Sequence, residues 1–411
     1  MTPGQTVSNQ PSPLTDSSVQ AASQTFEKSW KREVLQGGVE LIEQLATEWR
    51  DLCQEGEFDK PFYRPEWFRA YVRAFARDKQ ICLATLRDRG RLCAILPLVL
   101  EQVSMLGLRV TRLCGLANEH SPRFDMILGA SVLAEESAPE IWKALKEYSR
   151  WDILQVPDVP IGGAFEEVLL AAERDGYQTG RWESIGTPFI VLPVGRNPRN
   201  ATLGETDAKF RANLRRRKRK LAAQGALFLR RNEKADPADL KVFYDLELAG
   251  WKGRSGSAIA CSPSTRQFYD DLACDAERFG YLSLYFLELD GRPVAAHYGL
   301  THQGIYYCPK VVFDEAWHAC SPGQLLVEEI LQDCVARGLH EFDFVGPCMR
   351  WKAEWTSQVR RFEWCFVFSH SWKARVLHAA KFQIGPMMKE KLGLRNSAKE
   401  RKDSTHLQDK V

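Results

Sequence analysis

The chain of 411 residues lacks any apolar run long enough to span a bilayer. The longest is Leu92–Leu100, nine residues with Pro97 inside it, whereas a spanning helix needs about 20. No two of the eleven cysteines lie closer than eleven residues. CxxC pairs are therefore absent, and with them zinc ribbons and vicinal redox couples. Cys53, Cys82, Cys93 and Cys114 sit among apolar neighbours, as reduced core thiols do, which suits a cytoplasmic protein. HExxH, Walker and Ser-His-Asp signatures are missing too, so no metal, nucleotide-hydrolysing or serine-nucleophile chemistry is expected. The opening stretch, MTPGQTVSNQPSPLTDSSVQAASQ, has neither a basic n-region nor an apolar h-region. It reads as a disordered polar tail over residues 1–30 rather than a secretory signal.

What remains is an ordinary globular composition, 44% hydrophobic and 27% charged, in a chain long enough for two or three domains. The net charge of +3 hides an uneven spread. Residues 371–411 carry ten basic against four acidic side chains, and Lys209–Lys220 (KFRANLRRRKRK) holds eight basic residues in twelve with no acid. The second half shows the cleaner signals. Thr206 or Asp207 caps a helix with Phe210, Leu214 and Leu221 on one stripe. Helices over Pro237–Gly250 and from Ser262-Pro263 to Phe279 follow. The period then changes to two. Tyr281–Leu289, Arg292–Thr301 and Ile305–Val312 read as strands joined by tight turns at Asp290-Gly291 and Gln303-Gly304. Pro322–Arg337 is a helix, Glu341–Val345 a buried strand and Arg361–Phe368 a last strand.

The first half repeats this order loosely: helices Val39–Cys53, Pro65–Ala76 and Ala138–Ser149, and strands Gln80–Arg87, Arg91–Leu100, Arg109–Cys114 and Asp152–Val156. Leu86–Ala94 echoes Leu287–Ala295 around an acidic-Gly turn. A period near 190–200 residues is too long for a solenoid. It implies two copies of an α/β (α+β) domain, over 31–195 and 204–370. They are joined near Leu192–Leu203, where Pro, Gly and Asn cluster, and followed by a basic C-terminal helix and tail over 371–411. Ser371–Leu394 has Trp372, Val376, Leu377 and Ile384 near helical spacing. It fits either packing on its own domain or contact with an anionic membrane face.

A helix start at Ser321-Pro322-Gly323-Gln324-Leu325-Leu326 directly after a three-strand meander resembles the GNAT acyl-CoA N-acyltransferases. Lys209–Arg216, Trp251-Lys252, Arg292–Ala296 and Asp343-Phe344-Val345-Gly346, followed by Lys352 and Trp355, bring the likeness closer to one branch. That branch is the tandem-domain enzymes linked to cellulose and exopolysaccharide biosynthesis, distant relatives of Fem-type aminoacyltransferases. Phe62–Trp67 and Ile95–Leu98 carry the likeness into the first half. The resemblance implies two tandem GNAT-like domains, each a mixed central sheet flanked by helices. It implies acetyl-CoA or another acyl-CoA as co-substrate, with its pyrophosphate on the amides of Gly323, Gln324, Leu325 and Leu326 after Pro322, and its pantetheine arm along Val311 and Val312. A helix N-terminus is suited to this, since its free N–H groups carry about half a positive charge. The first half has no counterpart to SPGQLL and is expected to shape the acceptor cleft without binding CoA.

Acyl transfer to an amine needs a proton acceptor and a stabiliser of developing negative charge. Asp343 is a carboxylate in an apolar run, where burial would raise its pKa toward that of a base; it reads equally as a structural acceptor at a strand end. His297 is a second base candidate. Tyr307 is the candidate acid for the leaving thiolate, since Tyr306 and Tyr307 point to opposite faces and only one can serve. Lys352 can pair with Asp343, a phosphate or the substrate. Trp251, Lys252 and Trp355 are candidate substrate contacts, Trp355 by stacking on a sugar or adenine. Arg215, Arg216 and Lys218 are candidates for a CoA phosphate or an anionic acceptor, against the plain reading of a solvated basic face. The expected acceptor is a small-molecule or glycan amine, with contact to a membrane or polysaccharide synthase as a further option at the cytoplasmic face. Nucleic acid is disfavoured because no aromatic platform interleaves with the basic run. Two other readings stay open: a Fem-type transferase using aminoacyl-tRNA, and a non-catalytic polysaccharide-assembly factor.

Overall fold

The computed structural model describes residues 29–193, 195 and 206–384. The expected N-terminal tail through residue 28, most of the linker near 192–203 and the basic tail from 385 onward lie outside the described residues. The first half runs β1 (Trp30–Gly37), α1 (Val39–Gln54), α2 (Pro65–Phe75), β2 (Gln80–Asp88), β3 (Arg91–Met105), β4 (Leu108–Gly115), β5 (Ile127–Leu128), α3 (Ala134–Tyr148), β6 (Ile153–Pro160), α4 (Phe165–Arg174) and β7 (Gln178–Val191). The second runs α5 (Ala208–Ala222), β8 (Leu227–Asn232), α6 (Pro237–Ala249), α7 (Trp251–Arg254), α8 (Pro263–Arg278), β9 (Leu282–Leu289), β10 (Arg292–His302), β11 (Ile305–Phe313), α9 (Pro322–Ala336), β12 (Glu341–Asp343), α10 (Arg350–Ala353), β13 (Val359–Phe368) and α11 (Trp372–His378).

Local chemistry sets most of these boundaries. The Asp207 carboxylate accepts the N–H of Phe210 and the Ser262 hydroxyl that of Thr265, starting α5 and α8. Arg89-Gly90, Asp290-Gly291 and Gln303-Gly304 all have positive φ at both turn positions, the conformation that matches the twist of a two-residue hairpin. The two copies superimpose in outline: β2-β3-β4, α3 and parallel β6 correspond to β9-β10-β11, α9 and parallel β12.

The two halves do not end at a seam between separate sheets. One mixed 13-stranded sheet runs β1-β2-β3-β4-β6-β13-β7-β12-β11-β10-β9-β8, with β5 beside β3. The last strand of each half crosses to the other. β7 pairs with β12, β13 pairs with β6, and β7 and β13 pair with each other. Helices flank the sheet, and α2 packs on α8 across the halves, with Trp67 edge-on to Phe268 at 5.2 Å. One apolar cluster therefore draws on both halves, while a second lies under α9.

Three elements escape a local reading. β1 is half-buried along its length, without clean alternation. α4 is only ten residues long. β7 contains Gly180, Gly186 and Pro188, which look like breaks, yet it is held on both edges. Its glycines have packing reasons. A Cβ at Gly180 would fall 2.3 Å from the Phe382 ring, and one at Gly186 2.6 Å from Val359. The C-terminal helix differs from expectation. Ala374 and Leu377 are its buried residues, whereas Trp372 and Val376 are 63% and 48% exposed. α11 gives way to a π-helical stretch at Ala379–Ile384. Eight of the eleven cysteines are buried and none is bridged. Among the described residues no helix is long and apolar enough to cross a membrane.

A chain ending at Gln358 removes β13 and leaves β6 and β7 as facing unpaired edges, so it is expected to lose cooperative unfolding and to self-associate. A chain ending at Ile384 keeps a single sharp transition. Thermal melts by circular dichroism with size-exclusion chromatography read both outcomes.

Candidate functional site

The site grows from an opening in the sheet. β11 and β12 run parallel through three pairs, Ile305↔Glu341, Tyr306↔Phe342 and Tyr307↔Asp343, and then part. β12 stops because the chain turns away through Val345 and Gly346, both at positive φ. β11 continues to Phe313, but its register against β10 shifts between Tyr298 and Leu300, leaving Cys308 and Pro309 across from Gly299. Pro309 offers no N–H, so the irregularity falls where the ladder is weakest, as expected.

α9 begins beside the wide end of this opening, after Ser321 in the left-handed conformation. The Gln324 and Leu325 amides already turn back to the Ser321 carbonyl at 3.0 and 3.2 Å, and Leu326 falls within the helical ladder. The expected four-amide cradle thus narrows to Gly323, whose N–H precedes the first intrahelical bond. Gly323 lies against Phe313; a Cβ there would sit 3.5 Å from the ring. The Gln324 side chain is tied to the α10 region, donating to the Trp351 carbonyl and Glu354 and accepting from the Trp355 indole at 2.5 Å. Trp355 is itself buried, edge-on to Phe210 at 5.0 Å. It is a core residue holding α5 to α9, not a stacking platform for a sugar or adenine.

Along β11, Asp314 donates to Val294 on β10 at 2.8 Å. By strand alternation Val312 also faces β10, while Val311 faces the open edge. Of the two expected strand contacts, only Val311 can meet an added ligand through its backbone. The Lys252 ammonium already caps the Val311 carbonyl at 3.2 Å and pairs with the buried Glu247 at 2.9 Å. Trp251 donates its backbone N–H to Glu315. Lys218 is ion-paired with Glu329 of α9, whereas Arg215 and Arg216 are exposed.

The apex of the opening separates two faces. Tyr306 and Phe342 belong to the cluster under α9. Tyr307 and Asp343, one residue on, meet the first half instead. Asp343 is fully buried. Its Oδ2 accepts from Arg123 at 2.5 Å and Arg360 at 3.2 Å, and its Oδ1 accepts the Val345 amide at 2.9 Å. This corrects the expected role. Two guanidinium groups and an amide occupy the carboxylate, so it is an ion-pair hub rather than a free proton acceptor. Arg123 lies between the Phe62 and Phe362 rings. Its loop is anchored where Asp125 accepts the amides of Ala164 and Phe165.

His297 is also corrected as a base. It faces the α9 side, with Nδ1 3.2 Å from Cys308 Sγ and 3.3 Å from Tyr306 Oη, and Nε2 has no partner. Burial pushes its pKa down to about 3, and the Cys308 thiol up to about 12, so neither ionises near neutrality. Tyr307 stays on the expected strand face against Phe62, its hydroxyl buried and without a partner. Burial raises its pKa, so it remains a neutral donor. Lys352 is the expected residue with the most suggestive chemistry. It is buried, donates to the carbonyls of Val345 at 2.6 Å and Phe344 at 3.4 Å, and burial lowers its pKa to about 8.

Arg123, Arg360 and Lys60 escaped the sequence reading. Arg123 meets Asp343 across 220 positions of chain, and no spacing motif marks it. Equivalent positions in the first half do not rebuild the α9 start. α3 opens after Leu133 with Glu135 and Glu136 in its first turn, charges that oppose an anion there.

Residues 208–353 match the family described as Acetyltransferase (GNAT) domain, Acetyltransf_6. No curated protein matches the chain in sequence. Among solved structures it is similar to FemX, with a TM-score of 0.52 and 11% identity over 83% of this chain and 98% of that one. It is also similar to the L-PGS of Bacillus licheniformis (TM-score 0.42, 11% identity, 78% and 97% covered). A third is a tandem GNAT protein from the clavulanic acid biosynthesis pathway (TM-score 0.44, 12% identity, 83% and 100% covered). The family match lies in the second half of the chain, and the fold as a whole is mixed α/β.

The hub makes a stability prediction. Asp343→Asn leaves Arg123 buried without its counter-charge and is expected to cost about 3–5 kcal/mol. Adding Arg123→Met should recover much of that loss. Urea melts of both single variants and the double variant measure the coupling, and additive losses would refute an Arg123–Asp343 hub.

Proposed function

We propose that this chain is an acyl-CoA-dependent N-acyltransferase whose acceptor is an amine of an amino sugar or of another cell-envelope or exopolysaccharide precursor. The observation that carries the reading is the parting of β11 and β12 beside the α9 N-terminus, inside the segment that matches the acetyltransferase family. The residues present fit a CoA through fewer contacts than expected. Gly323 supplies a free amide at the positive end of α9, with no side chain to block approach, and Val311 lies on the open strand edge. Bound there, acyl-CoA supplies an activated thioester; everything else falls to the chain.

Lys352 is the residue assigned to the proton. A neutral amine has two N–H groups and one lone pair. Two N–H groups are what the Val345 and Phe344 carbonyls take up, leaving the lone pair free for the acceptor's proton. A pKa near 8 keeps a useful neutral fraction at working pH. Asp343 holds the chain that bears these carbonyls, through the Val345 amide, and so acts as a positioning residue. The first half, with acids at its α3 start, contributes walls rather than a second cofactor site.

A Fem-type reading, with aminoacyl-tRNA as donor, is favoured only by α5, whose Arg215, Arg216, Arg219 and Lys220 are exposed. It predicts tRNA binding with a steep salt dependence. A non-catalytic assembly role predicts neither donor.

Two measurements test the main reading. Gly323→Asp places a carboxylate at the α9 N-terminus. It is expected to weaken acetyl-CoA binding at least a hundredfold in calorimetry, with little change in melting temperature; unchanged affinity removes the site. The pH dependence tests Lys352. Deprotonation makes the base, so kcat/KM should rise about tenfold per unit below pH 8 and level off above it. Lys352→Met should flatten the profile and lower the rate by about 10²–10⁴-fold.

A further inference from the structure

The acetyltransferase reading accounts for the α9 side of the apex and leaves the other side unused. There a cavity of about 560 Å³ opens at the junction of the two halves, lined by Lys60, Tyr63, Arg123, Tyr307, Glu341 and Arg360. Its cations come from three separate segments: the turn before α2, the loop before β5, and β13. Arg360 is matched by Glu341 at 2.5 Å and by Asp343, which also serves Arg123. Lys60 has no such match. Its ammonium donates to the Glu57 backbone carbonyl at 2.6 Å, and no carboxylate pairs with it among the described residues. Burial is the main effect lowering its pKa; the positive charges of Arg123 and Arg360 add to it and the carboxylates of Glu57 and Asp125 oppose it, so Lys60 shares this space with two guanidinium groups.

Donors there are also unfilled. Arg123 uses one N–H on Asp343, and its Nε has no partner; the Tyr307 hydroxyl has none either. Both side chains are more than nine-tenths buried. Buried N–H and O–H groups are nearly always satisfied, and cations gathered against their mutual repulsion favour an anion among them.

We infer that this cleft binds an oxyanion, a phosphate monoester or a carboxylate, carried by the acceptor molecule, with Lys60, Arg123 and Tyr307 as its donors. The acceptor part of this inference rests on the acyltransferase reading; the anion site does not. The geometry gives the anchor a purpose. Tyr307 and Asp343 stand at the point where β11 and β12 part, so a molecule held by its anion in the cleft reaches the apex from the face opposite α9. Donor and acceptor then approach the same point from opposite sides of the sheet. Selection would act on the acceptor's charge, and neutral amines would be poor substrates.

The full-length protein tests this by calorimetry with glucosamine 6-phosphate, glucosamine, inorganic phosphate, acetate and acetyl-CoA, on wild type and Lys60→Gln. Expected is at least tenfold tighter binding of glucosamine 6-phosphate than of glucosamine, or saturable binding of acetate where the anion is a carboxylate. Either preference should fall at least tenfold in Lys60→Gln with acetyl-CoA affinity unchanged. Competition by inorganic phosphate or by acetate tells the two oxyanions apart. Tyr307→Phe should weaken the same ligand without loss of folding, since the ring stays packed on Phe62. Anion binding that Lys60→Gln leaves intact, or no binding of any of these anions by a wild type that binds acetyl-CoA, overturns the inference. Lys60-dependent anion binding by a protein that does not bind acetyl-CoA sinks the acyltransferase reading and leaves the cleft standing.

Discussion

The rest of the structure depends on the exchange of β7 and β13. Each half would present β6 or β12 as an open edge, a row of unsatisfied N–H and C=O groups. Instead the last strand of each half covers the edge of the other, and the two exchanged strands pair through nine registered positions. Hydrogen bonding along one sheet therefore fixes the relative placement of the halves, without relying on side-chain packing alone. That placement is what a site at the junction requires, since side chains must be held within about half an ångström to be useful.

The buried charge at the apex follows from the same exchange. Arg360 reaches Asp343 and Glu341 only because β13 has crossed to lie beside β7, one strand from β12. Arg123 arrives on a loop of the first half. A single buried carboxylate thus reads the position of three segments. Such clusters are poor contributors to stability compared with apolar packing, so their presence at the junction is better explained by geometry than by stability. The carboxylate holds the Val345 amide, Lys352 holds the Val345 carbonyl, and the turn that ends β12 is pinned from both sides. What keeps the sheet open is therefore a polar clamp and not the absence of a partner strand.

Much of the second half was legible because its signals are local. Asp290-Gly291 and Gln303-Gly304 specify their hairpins, Ser262-Pro263 and Ser321-Pro322 specify helix starts, and Pro309 locates the break in β11. The repeat is legible for the same reason, since both copies place a turn glycine after a strand of the same pattern. Strand exchange has no local signature. β7 was missed because Gly180, Gly186 and Pro188 read as punctuation when neighbouring strands are unknown. Site roles failed in the same way. An aspartate flanked by Phe342 and Phe344 looks isolated in sequence, and its partner Arg123 is 220 positions away. Trp355 looked available for stacking until Phe210 was found against it. His297 looked like a base until both faces of its strand proved to be covered.

The four expected catalytic side chains show how environment sorts similar chemistry. His297 and Lys352 are both buried, and for the histidine burial is the larger effect, with the nearby lysine charge acting in the same direction. It has no carboxylate to hold a proton and is left neutral at every working pH. Lys352 suffers the same desolvation, but Cys308 and Asp343 act in the opposite direction, so its pKa settles near 8 instead of falling further. Asp343 is the reverse case, a buried acid whose Oδ2 is shared by two guanidinium groups. Tyr307 has no charge to lose and stays a donor. The result is a buried amine with a lowered pKa beside an ion-pair hub, with the cleft of Lys60, Arg123 and Arg360 on one face and a helix N-terminus on the other. On the proposed reading, an amine nucleophile arriving as ammonium gives up its proton to Lys352. Its own positive charge would be disfavoured beside Arg123, Arg360 and Lys60, unless an anion it carries has already filled the cleft.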